Sequence, residues 1–433
     1  MSSLSPPSSN APVRYFSMNI FTSLKLRGLI KDVSNQEEVE QLLSQPTTIY
    51  SGFDPSAKSM HLGNFVQISI LMRLQQAGHR IIAVVGGATG MIGDPSGKSK
   101  ERNLLNPETL KENTQAIQKQ LEKYLDFSNP TKGIVVNNFD WLGKLTMIDY
   151  LRDYGKYFPI NFMLAKDVVA SRLEAGLSYT EFSYMLLQSI DFLHLFQTEK
   201  CRLQFGGSDQ WGNLTSGLEL IRKVGGSDAK AGVFTTPLIT NSDGKKFGKS
   251  EDGALFLDAT LTSPYAMYQY FYNVSDADAI GYMKVFSFDD LSTIEKVSID
   301  HQTNLGQRIA QKYLAASVVK TLHGDAALQE AKMMSDVLFT GQFKSLSETQ
   351  LLSVLGGLKV VLPKQTLLED ALIATKAASS KREAREFIQG QSISINGEIV
   401  QTLTMTLNQP TALLGKFLVM RRGKKHYFLI ELI

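Results

Sequence analysis

The run Arg80-Ile-Ile-Ala-Val-Val85, closed by Gly86-Gly-Ala-Thr-Gly90, constrains the fold more than any other stretch of these 433 residues. It is apolar almost throughout and shows no alternation, so both of its faces must be covered. Such a strand belongs to a parallel sheet with helices on either side, and the glycines mark a tight exit from its carboxyl end. Residues 47–52, 134–137 and 203–206 read as further strands. Helical segments separate them, as in the spacing of Phe65, Ile68, Leu71, Met72 and Leu74. Strands alternating with helices predict an α/β fold, a Rossmann-type open parallel sheet, whose ligands bind beyond the carboxyl ends of the strands. Tyr50, residues 86–94 and residues 204–210 all fall there.

The sheet region is expected to span residues 18–263, opening with an amphipathic helix near 18–30 and carrying a helical insertion around 143–182. Helical periodicity without strand signal then predicts an α-helical domain over 264–340, and residues 341–366, interrupted by Gly356-Gly357, read as a linker. Residues 367–433 change character. Ser380-Lys-Arg-Glu-Ala-Arg-Glu-Phe-Ile predicts a helix, and Ser392-Ile-Ser-Ile-Asn396-Gly397-Glu-Ile-Val predicts two strands joined by an Asn-Gly hairpin turn. Residues 417–421 and 426–432 read as a second pair, which makes a small α+β domain. Residues 1–17, rich in Ser, Pro and Asn, are expected to be a disordered tail; the alternative is a mitochondrial presequence ending at Arg14-Tyr-Phe-Ser17.

A net charge of only +3 means that any nucleic-acid binding must come from local basic clusters. The single cysteine, Cys201, excludes an internal disulfide framework and any Cys-based zinc site, which fits a reducing compartment. The six histidines lack metal-ligand spacing, so no metal site is expected. No apolar stretch reaches ~18 residues, the length of a membrane span.

Several motifs carry chemistry. Gly93-Asp94-Pro95-Ser96-Gly97-Lys98-Ser99 is not a P-loop, because Ile92 stands where the pattern needs glycine. Lys98 and Arg102 nevertheless lie on a polar segment just past a strand exit. His61-Leu62-Gly63-Asn64 follows Tyr50-x-Gly52-x-Asp54 at a probable helix start, where free N–H groups and the positive dipole end favour an anion. Lys246-Phe-Gly-Lys249-Ser250 reads either as a solvated basic turn or as a mobile source of two ammonium groups. If they converged on His61, the two motifs would hold a triphosphate while a carboxylate attacks its α-phosphorus. Tyr184, Gln188 and Asp191 lie at i, i+4 and i+7, one face of an otherwise apolar helix. Buried polar groups need partners, so this stripe serves either a structural network or a bound ligand.

Together, His61-Leu-Gly-Asn and Lys246-Phe-Gly-Lys-Ser resemble the HIGH and KMSKS motifs of class I aminoacyl-tRNA synthetases. The surrounding residues resemble the tyrosyl-specific family of bacterial or organellar type, over residues 18–433. The resemblance implies that ATP and L-tyrosine give tyrosyl-adenylate and pyrophosphate, and that tyrosine then passes to tRNA(Tyr). It implies that Tyr50 and Asp191 hold the phenolic hydroxyl and that Tyr184 and Gln188 hold the ammonium group, with Asp94 and Gln210 beside them. Gly52, Asp54, His61, Gly63, Gly207, Asp209 and Lys249 would face ATP. His61, Asn64, Lys98, Arg102, Lys246, Lys249 and Ser250 would act on its phosphates, Asn64 offering an amide N–H where the motif has a second histidine. Mg²⁺ is expected with ATP, and no tightly bound cofactor.

The segment from Ser380 resembles the small RNA-binding module of ribosomal proteins, with Lys381, Arg382, Arg385, Lys424 and Lys425 as phosphate contacts. In the family the segment corresponding to the insertion packs across a dimer interface, which implies a homodimer. The expected location is the cytoplasm, or the mitochondrial matrix if residues 1–17 are a presequence. The alternatives are a synthetase-derived RNA-binding or splicing factor, and a synthetase for another aromatic amino acid.

Overall fold

Strand β2 (Arg80–Val85) is buried along nearly its whole length, as its unbroken apolar run requires. In the computed structural model it pairs in parallel with β1 (Thr48–Phe53) on one side and β3 (Gly133–Asn137) on the other. Strands β4 (Cys201–Gly207) and β5 (Gly232–Thr236) complete a parallel sheet in the order β3-β2-β1-β4-β5. The described residues are 18–97, 105–170, 172–173, 176–226, 228–242, 247–250, 253–408, 411–423 and 426–433. Residues 1–17, Lys98, Arg102, Lys246, Lys424 and Lys425 lie outside them, and Lys249-Ser250 is described only as a short strand.

The strand order reverses at β1, which lies between β2 and β4. That is the topological switch point, where the carboxyl ends of an open α/β sheet leave a crevice. Helix α1 (Leu62–Gln76) follows β1, α2 (Pro107–Tyr124) precedes β3, α3 (Tyr179–Thr198) precedes β4 and α4 (Trp211–Gly225) precedes β5. Helices α3 and α4 pack on each other over a core that includes Tyr50, Ile82, Val84, Ile190, Phe192, Leu214 and Leu218. Residues 143–182 are broken into short helical pieces such as Met147–Asp149 and Ile160–Leu164. A buried ion pair, Arg172 to Glu181 at 2.8 Å, ties this insertion to the first turn of α3. The opening helix is shorter than its periodicity suggested, running Ile20–Leu26.

The chain divides into two units. One comprises the residues up to Lys249 together with Lys284–Leu291, and the other Ser250–Met283 with Ser292–Ile433. In the second, α5 (Pro264–Tyr272) packs along the helical segment α6 (Ile309–Thr340), which is interrupted at Gly324. Residues 341–366 are not a bare linker, for they hold α7 (Glu348–Leu355) and β6 (Lys359–Leu362). Strand β6 pairs in parallel with the last strand, so it belongs to the C-terminal sheet. That sheet has the order β8-β7-β9-β10-β6, with β7 Ile393–Ile395, β8 Glu398–Ile399, β9 Phe417–Arg422 and β10 His426–Leu432. The turn between β7 and β8 has φ of 51° at Asn396 and 92° at Gly397, the left-handed pair that an Asn-Gly hairpin supplies.

Candidate active site

Tyr50 lies in the buried stretch Ile49–Ser51 of β1 and beside Gln204 of β4, at the switch point. Its ring packs on Phe192 with centroids 5.4 Å apart. Its hydroxyl is buried and has no hydrogen-bond partner among the described residues, and the side-chain oxygen of Gln204 is orphaned in the same way. Burial, reinforced by the Asp191 charge, pushes the Tyr50 hydroxyl well above the usual phenol range. Buried, unsatisfied polar atoms on two neighbouring strands at the switch point are what a site for a polar ligand presents.

The α3 stripe supplies the facing groups. Asp191 is 4% exposed. Its Oδ2 accepts from Asn138 Nδ2 at 3.0 Å and its Oδ1 accepts from Trp141 Nε1 at 2.7 Å. Burial pushes its pKa up to about 7, against the two hydrogen bonds that lower it. One turn earlier, Gln188 Oε1 accepts from Asn213 Nδ2 at 3.1 Å. Tyr184 donates from its hydroxyl to Asp54 Oδ2 at 2.9 Å, while Asp54 Oδ1 accepts from Thr89 Oγ1 at 2.9 Å. Asp54, expected on the nucleotide side, is thus bonded into the α3 stripe. Burial raises the Tyr184 hydroxyl, and the charges of Asp54, Asp94 and Asp191 raise it further. The hydrogen bond to Asp54 and the nearby charge of Asp94 make this a negative spot, suited to an ammonium group.

Two hydrogen-bonded chains frame the stripe. Asn138 Nδ2 reaches both Asp191 and Thr89 Oγ1 (3.0 Å each), so Tyr184, Asp54, Thr89, Asn138, Asp191 and Trp141 form one continuous network. In the other, Asn213 Nδ2 lies within reach of Asp94 Oδ1 (3.5 Å), Ser96 Oγ (3.2 Å), Gln188 Oε1 (3.1 Å) and Gln210 Oε1 (3.2 Å). An amide has two protons for these four acceptors, so the contacts are shared. Gln210 donates to Asp94 Oδ2 at 2.6 Å. Asn138, Trp141, Thr89 and Asn213 escaped the sequence reading. Asn138 carried a usable signal, because it sits immediately beyond β3, level with the other strand exits.

The end expected to meet phosphates is built on α1. His61 is its N-cap: the backbone N–H of Gly63 donates to His61 Nδ1 at 3.1 Å, and Asn64 Oδ1 accepts from the backbone N–H of His61 at 3.1 Å. His61 remains exposed, so its ring both caps the helix and faces solvent. Asn64 therefore spends its oxygen on the cap, a role the sequence reading did not foresee. Gly63 is small for a local reason, since a β-carbon there would come within 2.9 Å of the His61 ring. Gly52 opens onto free space at the end of β1. A β-carbon at Gly97 would meet Asp209 at 3.3 Å, which brings the loop after β2 to the turn after β4. Gly248 adopts φ of 74°, and a β-carbon there would lie 3.0 Å from Leu62 Cβ and 3.7 Å from the Gly63 nitrogen. The two motifs, almost two hundred residues apart, therefore meet at the start of α1.

The C-terminal cations are paired. Lys381 Nζ lies 2.7 Å from Asp370 and 3.4 Å from Glu369, Arg385 Nε 2.7 Å from Glu369, and Arg382 Nε 3.1 Å from Glu386. All three are well exposed, and exposed pairs of this kind are weak enough for a phosphate to displace.

With this geometry in view, the similarities to known proteins fall into place. Residues 42–340 match the family described as tRNA synthetases class I (W and Y), and residues 358–430 match the tyrosine–tRNA ligase SYY-like C-terminal domain. Tyrosine–tRNA ligase 1 of Bacillus subtilis is 47% identical over 419 residues, 95% of this chain and 99% of that protein. The tyrosine–tRNA ligase of Oceanobacillus iheyensis is 46% identical over 423 residues, 96% of this chain and 99% of its own length. Among solved structures, a C-terminally truncated Aspergillus nidulans mitochondrial tyrosyl-tRNA synthetase superposes with a TM-score of 0.68 at 30% identity, covering 75% of this chain and 95% of that one.

Proposed function

The chain belongs to the class I tRNA synthetases of the tryptophan and tyrosine type, and from that premise we propose that it is a tyrosine-activating ligase that charges tRNA(Tyr). The observation that carries the amino-acid specificity is the orphaned, buried hydroxyl of Tyr50 beside the Asp191 carboxylate. A phenolic hydroxyl placed between them would donate to Asp191 and satisfy Tyr50. A plain phenyl ring would leave the Tyr50 hydroxyl unsatisfied, and an indole N–H, which donates but cannot accept, could not take its proton. The opposite end of the stripe is the negative spot formed by Asp54, Asp94 and Tyr184, which takes the ammonium group with Gln188 and Gln210.

The tyrosine carboxylate then lies toward the start of α1, where it attacks the α-phosphorus of ATP and pyrophosphate departs. The protein offers no covalent nucleophile. Its contribution is to align the attack and to stabilise charge on the leaving group. His61, the N–H groups of α1 and Asn64 serve the phosphates from one side, with Lys246, Lys249 and Ser250 from the other and Lys98 and Arg102 from the segment beyond β2. Gly52, Gly63, Gly207 and Asp209 border the nucleotide. Mg²⁺ enters with ATP as part of the substrate.

Lys381, Arg382 and Arg385, with Lys424 and Lys425, contact the tRNA backbone. The working form is a homodimer, supported by the exposed apolar residues Met147, Ile148, Leu151, Ile160 and Tyr179 of the insertion and its border. A cytoplasmic location is supported by the bacterial relatives, and no helix among the described residues is long and apolar enough to cross a membrane. A splicing factor without catalysis, or a ligase for another aromatic amino acid, is not favoured. Amino-acid-dependent ATP–pyrophosphate exchange with tyrosine, phenylalanine and tryptophan tests the reading, and exchange with tyrosine alone is the expected result.

A further inference from the structure

Two buried arginines are left over when the site has been assembled. Arg27 and Arg73 are each 7% exposed, and both direct their guanidinium groups at the backbone of one short excursion, Lys284–Leu291. Arg73 Nη2 donates to the carbonyls of Val285 (2.9 Å) and Ser287 (2.7 Å), and its guanidinium lies 4.1 Å over the Phe288 ring. Arg27 Nη1 donates to the carbonyls of Lys284 (3.0 Å) and Ser287 (2.9 Å), and its Nη2 to that of Asp289 (2.5 Å). Burial, with the neighbouring charge of Arg27, pushes the Arg73 guanidinium down to about 9. Placing two like charges side by side out of water is costly, and such an arrangement needs a return.

The return lies at Phe286, which the clamped turn presents. Phe286 is fully buried and stacks with two nearly parallel rings. Phe65, one turn past His61 in α1, stacks on it at 5.9 Å and 5°. Phe247, the second residue of the lysine-rich motif, also stacks with it, at 5.2 Å and 19°. Phe65 is braced in turn by an edge contact with Tyr124 at 6.0 Å. Immediately after Phe247, Gly248 lies so close to the start of α1 that a β-carbon on it would come within 3.0 Å of Leu62. In sequence, Lys246 and Lys249 flank this dipeptide, so whatever fixes Phe247-Gly248 fixes the point from which both ammonium groups reach.

We infer that Phe286, presented by the Arg27–Arg73 clamp, is a positioning residue that docks the Lys246–Ser250 loop on the phosphate-binding end of α1. The inference rests on the ligase reading above. Phe286 touches no substrate, and it acts only through the loop.

The test uses the full-length chain. Phe286→Leu keeps apolar bulk and removes the ring. Single-turnover adenylate formation should slow by about 10- to 100-fold, the scale of a misplaced catalytic group. Equilibrium tyrosine binding, which uses the other end of the site, should be unchanged. Phe247→Leu removes the same stack from the loop side and should slow the step similarly, which decides the matter if Phe286→Leu does not fold. Either change combined with Lys249→Ala should add less than its full effect, because the stack positions Lys249 as well as Lys246. Parental adenylate rates in folded variants would overturn the role, as would tyrosine binding weakened in parallel, or full additivity with Lys249→Ala. A parent chain without tyrosine-dependent exchange would overturn the ligase reading itself, and the positioning role with it.

Discussion

Asp191 is a carboxylate held where a charge is expensive, and that makes it the most informative single residue. Asn138 and Trp141 donate to it, yet burial still leaves its pKa at about 7. Asp191→Ala should slow adenylate formation with tyrosine by about 10- to 100-fold, the worth of a lost hydrogen bond to a charged group, and with phenylalanine far less. Equal losses in pyrophosphate exchange with both amino acids would make Asp191 a structural residue. The raised pKa carries a second expectation. The folded value of about 7 lies above the unfolded value of about 3.9, so between them the folded chain keeps a proton that the unfolded chain releases. The stability from this group is fully present below about pH 4 and is lost as pH rises through about 7. Asp191→Asn has no such proton, so its melting temperature relative to the parent should climb between pH 5 and pH 8 in ligand-free protein. A pH-independent offset would contradict the raised pKa, whatever its size. The stripe itself was legible because helical spacing fixes which residues share a face. Its partners were not, because Thr89, Asn138, Trp141 and Asn213 come from other elements and meet it only when the sheet closes.

At the scale of elements, α1 shows how one turn serves two purposes. Its first residues satisfy their own N–H groups through the His61 and Asn64 side chains, and the same turn is the one proposed to face the ATP phosphates. Gly63→Ala would drive a methyl group against the His61 ring and loosen that cap. The expected cost in stability is about 0.5–2 kcal/mol, the usual worth of an N-cap, read by urea denaturation. Adenylate formation should fall while tyrosine binding holds, since the imidazole is displaced and the α3 stripe is untouched. Intact adenylate rates would show that the cap geometry is irrelevant to chemistry. Four of the five sheet strands were readable as apolar runs between helices. The fifth, Gly232–Thr236, was not, because five short residues beginning at glycine and ending in two threonines give no periodic signal. Strand Lys359–Leu362 hid for a different reason: it alternates half-buried with exposed positions at a sheet edge, and only its parallel partner Leu429–Leu432 defines it.

At the scale of the whole molecule, one expectation concerns an apolar surface of the first unit and the other the exposed cations of the second. Met147, Ile148 and Tyr179 are 73%, 61% and 68% exposed, an apolar display that a homodimer would bury. Ile148→Asp should shift the chain toward monomer in sedimentation equilibrium, and an unchanged dimer would place the interface elsewhere. The other expectation separates the two half-reactions. The groups proposed for tyrosine and ATP all precede residue 251, whereas the paired cations Lys381, Arg382 and Arg385 lie on Lys381–Gln389. The cut between them must respect Lys359–Leu362, because a chain that kept this strand without its partner would expose an unpaired edge and invite aggregation. A chain ending at Gly357 avoids that edge and should still catalyse tyrosine-dependent ATP–pyrophosphate exchange. It should lose most tRNA charging. In the full-length chain, the extra tRNA affinity that the C-terminal sheet domain confers should fall steeply with salt, because phosphates must release counterions and displace Glu369, Asp370 and Glu386 from their cations. Full-rate charging by the shortened chain would show that the C-terminal domain is not a tRNA clamp. Loss of exchange as well would show that the catalytic unit depends on this domain for its own fold.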